Sequence, residues 1–93
     1  MTVRNCKASV MTFSGNTSIK FKTRAKTKGG ILRACGKAIA RQLHDDAVDV
    51  WGIEVDWPES ETPFKTKYFS LKSFADHDTV FNAAHDELFE LMY

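Results

Sequence analysis

Val48-Asp49-Val50-Trp51-Gly52-Ile53-Glu54-Val55-Asp56-Trp57 is the stretch that decides the fold. Positions 51, 53, 55 and 57 are large and apolar while 54 and 56 are acidic, the period of two expected of a half-buried strand. On this reading Trp51, Ile53, Val55 and Trp57 share the core face, and Val50, Gly52, Glu54 and Asp56 the opposite one. Upstream, Ser18-Ile19-Lys20-Phe21-Lys22-Thr23-Arg24-Ala25-Lys26 alternates in the same way, with apolar or small residues at odd positions and bases at even ones. Phe13-Ser14-Gly15-Asn16 is turn chemistry that joins this strand to an earlier one over residues 5–13. Downstream, the polar turn from Pro58 to Pro63 leads into a further strand from Phe64 to Leu71.

Between the strands the period lengthens. Gly29-Gly30 ends the basic strand, and Ile31, Cys35, Ala38, Ile39 and Leu43 then recur at helical spacing, which predicts a helix over residues 31–44. Gly36 inside it costs about 1 kcal/mol relative to alanine. A second helix is predicted from Ser73 or Asp76, either of which can cap it, with Asp78 suited to the first turn. Its apolar face comprises Val80, Phe81, Ala84, Leu88, Leu91 and Met92. The order is strand, strand, helix, strand, strand, helix. The expected architecture is a single α+β domain over residues 1–93: a four-stranded, mainly antiparallel sheet with two helices on one face. With 93 residues, 43% of them hydrophobic, the chain has material for one core and is not of disordered composition.

The net charge of +1 conceals a segregation. Ten Lys or Arg and no acid lie between Met1 and Leu43, seven acids and no base lie between His44 and Thr62, and five acids and no base follow Ser73. Such asymmetry points to nucleic acid, to a charged protein partner, or to internal neutralisation. Lys20, Lys22, Arg24, Lys26 and Lys28 would form a row roughly 26 Å long on one face of an extended strand, able to follow a phosphate backbone. Arg33, Lys37 and Arg41 form a second basic row on the first helix. With the helices covering one sheet face, that row is expected to point away from the first. The opposing expectation is that the bases face Glu54 and Asp56 across the sheet. Asp49, Glu54, Asp56, Glu59 and Glu61 form a candidate acidic docking face, flanked by Trp51 and Trp57, which serve either as core or as interface anchors.

Catalytic constellations are missing from the pattern. Gly36-Lys37-Ala38 lacks the hydroxyl of a phosphate-binding loop and falls within a helix, where such a loop precedes one. His77 and His85 stand roughly 12 Å apart along a helix, too far to share a metal. Cys35 lies on an apolar stripe, the place of a core thiol. No metal, cofactor or enzymatic activity is expected. No apolar run is long enough to span a bilayer. Met1-Thr2-Val3-Arg4-Asn5 lacks the apolar core of a signal peptide, and two isolated thiols suit a reducing cytoplasm.

Asp76, Asp78, Phe81, Asn82, Asp86 and Leu88, after a strand-turn-strand segment, resemble the corresponding stretch of small coliphage inhibitors of bacterial dGTP triphosphohydrolase, over about a seventh of the chain. More broadly, a short chain without an enzyme motif is similar in style to phage proteins that disable host machinery, anti-CRISPR and anti-restriction proteins among them. The resemblance implies a non-enzymatic inhibitor or modulator, phage- or mobile-element-encoded, acting on a host protein or nucleoprotein complex in the bacterial cytoplasm. The alternative is a nucleic-acid-binding protein that uses the basic strand 20–28.

Overall fold

The computed structural model describes residues 2–92. Six elements follow in the order β1 (Arg4–Thr12), β2 (Gly15–Thr23), α1 (Lys28–Leu43), β3 (Ala47–Asp56), β4 (Thr66–Ser70) and α2 (Phe74–Met92). The strands form one antiparallel sheet in the order β2-β1-β3-β4. The expected α+β architecture is therefore present.

One sheet face makes the core. Along β1 the even positions from Arg4 to Thr12 are buried, and Cys6, Ala8 and Val10 pack with Ile19, Val50, Ile53 and Val55 against Ile31, Cys35 and Ile39 of α1 and Val80 and Ala84 of α2. The odd positions Asn5 and Lys7 point to the open side. Cys6 and Cys35 both lie in this core, and burial pushes their thiols up to about 11 and about 12.

The two helices run side by side in the same sense, held near their starts by Lys28–Asp76 at 3.0 Å and near their ends by Arg41–Glu87 at 2.9 Å. They approach closely at Gly36. A Cβ there would overlap the Val80 carbonyl oxygen and lie 2.8 Å from Ala83 Cβ and 3.0 Å from the Ala84 nitrogen. The glycine that weakens α1 as a helix is what lets α2 approach it.

Several expectations are corrected. β2 ends at Thr23, three residues earlier than its alternation suggests, and α1 begins at Lys28. Thr27 caps α1, its hydroxyl accepting from the Gly30 N–H at 3.2 Å. Gly29 and Gly30 thus lie inside the first turn, where a Cβ on Gly30 would sit 2.8 Å from Ala25 Cβ. Ser73 caps α2, accepting from the Asp76 N–H.

In β3 the alternation changes phase. Ser9 pairs with Gly52 and Val10 with Val50, so Trp51 has no partner on β1 and forms a β-bulge. Val50 is fully buried and Trp51 is 38% exposed. The reading that placed Trp51 on the core face and Val50 opposite it is reversed for these two residues. Trp57 is half-buried, with the Arg4 guanidinium 4.2 Å and the Lys67 ammonium 4.5 Å from its ring centre. Leu91 and Met92 are exposed, because α2 runs a turn beyond Glu87, the residue that meets the last turn of α1.

Candidate functional site

The sequence offered two basic rows on opposite sides and one acidic face. The structure rearranges all three.

The row Lys20 to Lys28 is not a single row. Lys20 and Lys22 stand on β2 and are exposed, Arg24 and Lys26 lie in the connection after it, and Lys28 opens α1. Lys28 is engaged by Asp76, whose carboxyl is lowered chiefly by that contact. Lys26 reaches Glu59 at 3.8 Å. Lys20, Lys22 and Arg24 form no ion pair with any described carboxylate.

The second row does not point away from the first. α1 packs along β2, with the Gln42 side-chain amide donating to the Lys20 carbonyl at 2.8 Å. Between the two elements lies a cleft of about 280 Å³ with Phe21, Ala34 and Ala38 as its apolar floor and Lys22, Lys37 and Arg41 around its rim. The strand bases and the helix bases therefore meet at the β2 edge of the molecule. A partner need not wrap the domain to touch both rows.

Toward α2, a groove that shares Ala34 and Lys37 with the cleft is lined by Arg33 of α1 and by Asn82, Asp86 and Glu90 of α2. Arg41 pairs with Glu87 across the two helices: its Nε and Nη2 both bind Glu87 Oε1 at 2.9 Å. Glu87 is 6% exposed and Arg41 shields its charge. The sequence reading passed over Glu87, although its position three residues after Ala84 on the inward stripe was the available signal. Arg33 and Lys37 carry no ion pair among the described residues.

The acids do not make a face. Glu59 grips Arg4, a fully buried guanidinium, through two bonds of 2.8 and 2.5 Å. Arg4 holds the Glu59 carboxyl down to about 2, so the pair stays ionised at neutral pH. It ties the β3–β4 connection to the start of β1, a structural clamp. Asp49 accepts from the Val50 N–H at 2.8 Å and sits 3.3 Å from His77 Nδ1. Asp56 accepts from the Asn5 side-chain amide, and Glu54 stands on the open sheet face opposite Lys7. Glu61 is exposed in the β3–β4 connection.

Sequence reasoning missed two residues of the open face, Lys7 and Tyr68. Lys7 lies on the outward phase of β1, Tyr68 is 61% exposed on β4, and the Tyr68 ring passes over Gly52, where any Cβ would overlap it. Among the described residues no cluster of three His, Cys, Asp or Glu could hold a metal ion, and no helix is long and apolar enough to cross a membrane.

These features define a small α+β domain with a bare sheet face and an exposed basic edge. No known family model matches the chain, and neither a characterised protein nor a solved structure matches it.

Proposed function

We propose that this chain is a small non-enzymatic binding protein whose β2/α1 edge docks on an acidic surface of a macromolecular partner, a host protein or nucleoprotein complex, and thereby modulates it. The observation that carries this reading is the convergence of Lys22 and Lys37, neither of them ion-paired with a described carboxylate, with Arg41 around one cleft. Unpaired cations gathered at one edge raise the local potential and steer an oppositely charged partner. The likeness of the α2 segment Asp76 to Leu88 to phage-encoded inhibitors fits this mode of action, and a phage or mobile-element origin is part of the proposal. So is its corollary of a bacterial cytoplasmic setting.

Retention on immobilised heparin, a sulfated polyanion, tests the edge. The double variant Lys22→Glu/Lys37→Glu is expected to elute at distinctly lower salt than Lys65→Glu/Lys72→Glu, which changes the net charge equally at other exposed positions. Equal shifts for the two would mean that only overall charge matters, and the edge would lose its role.

A further inference from the structure

The sheet face turned away from the helices holds an arrangement that the β2 edge does not explain. Lys7 stands opposite Lys20 on one side and Glu54 on the other, and Glu54 stands opposite Tyr68. One row thus crosses all four strands in the order Lys20, Lys7, Glu54, Tyr68. Directly opposed side chains have Cβ atoms about 5 Å apart, and like charges so placed are destabilising. Lys7 and Lys20 form such a pair, and neither is ion-paired with a described carboxylate. Lys22 follows two residues along β2 on the same side, opposite Asn5. At the far end of the row the Tyr68 ring spreads over Gly52 with its other side open, and Trp51 stands exposed in the bulge beside it.

We infer that this outer face is a platform for single-stranded nucleic acid, with phosphates held over β2 and β1 by Lys7, Lys20 and Lys22 and a base stacked on Tyr68. An anion between Lys7 and Lys20 relieves their mutual repulsion. The ring supplies the sequence-tolerant stacking surface that single strands use. Glu54 sets the polarity: a carboxylate repels phosphate but accepts from the amino group of cytosine or adenine, so bases lie over β3 and β4. A duplex keeps its base faces stacked inside and has none to offer Tyr68. An acidic peptide would satisfy the lysines and leave the ring beside Glu54 without a role. The inference rests on the basic docking surface proposed above and extends it from the edge onto the adjoining face.

Fluorescence anisotropy with labelled oligo(dC), oligo(C) and a duplex of equal length tests it. Single strands are expected to bind more tightly than duplex, whichever sugar they carry, with a log–log salt slope near −2 from three phosphates at about 0.7 each. Tyr68→Leu, which keeps Gly52 covered but removes the π-face, is expected to weaken binding about tenfold or more, and Tyr68→Phe to leave it nearly unchanged. Should Tyr68→Leu fail to fold, Lys7→Gln supplies the second arm, with an expected shallower salt slope. A preference for duplex, or wild-type affinity in Tyr68→Leu, would overturn the inference. Absence of oligonucleotide binding together with the predicted heparin behaviour would remove the platform and leave the basic edge standing.

Discussion

Gly36→Ala is expected to destabilise the domain by about 2 kcal/mol, although alanine is the better helix former. Propensity alone would favour the variant by about 1 kcal/mol. Against it stands overpacking, which typically costs about 1–3 kcal/mol. The obstacles belong mostly to the α2 backbone, the Val80 carbonyl and the Ala84 nitrogen, with Ala83 Cβ beside them, and none can rotate aside as a long side chain would. The cost therefore falls at the upper end of that range and outweighs the gain. In a domain of this size the melting temperature should fall by about 10 °C. Urea unfolding measures it directly, and a Gly36→Ala protein more stable than wild type would show that the helices do not meet as described.

The second large effect lies in β3 and discriminates between the two phases of its alternation. Ile53→Ala is expected to cost about 2–5 kcal/mol, the usual range for a fully buried isoleucine. Trp51→Ala is expected to cost less than about 1 kcal/mol, because the ring is exposed in the bulge and contributes nothing to the core cluster. An unbroken alternation would place Trp51 beside Ile53 in the core and make its truncation cost about 3–5 kcal/mol. Equilibrium unfolding of the two variants decides between these phases.

The bulge was partly legible. Val48 and Val50 are apolar at even positions and Ile53, Val55 and Trp57 at odd ones, so the run carries two phases that a single strand without irregularity cannot satisfy. Two register shifts against β1 resolve the conflict, leaving Val48 and Trp51 unpaired and exposed. Element order and type followed from periodicity and turn chemistry, which are local. The early end of β2 was not visible, because Arg24, Ala25 and Lys26 continue the alternation after the hydrogen-bonded ladder has stopped at Thr23. The ladder stops at the Arg4–Thr23 pair, where the partner strand β1 itself begins.

The candidate site was less legible than the fold. The bases themselves stood out, but their grouping depends on where α1 crosses the sheet. That path brings Lys37 and Arg41 to Lys22, and it gives Arg41 to Glu87. The acids looked like one face in the chain and are four separate things in space: a clamp on Arg4, a contact to His77, a pair of carboxylates on the open sheet, and Glu61 exposed in the β3–β4 connection. Tyr68 had no motif to mark it. Its part depends on Gly52 lying diagonally from it on the neighbouring strand, two residues before its pair Glu54.

Amide chemical-shift mapping during titration with a heparin hexasaccharide tests most directly whether early-chain cations form one surface at the β2 edge. Shifts are expected to concentrate in residues 20–24 and 34–42, which are distant in sequence and meet at the Lys22–Lys37–Arg41 cleft. Shifts centred on residues 65–72, or spread evenly over every exposed lysine and arginine, would contradict it.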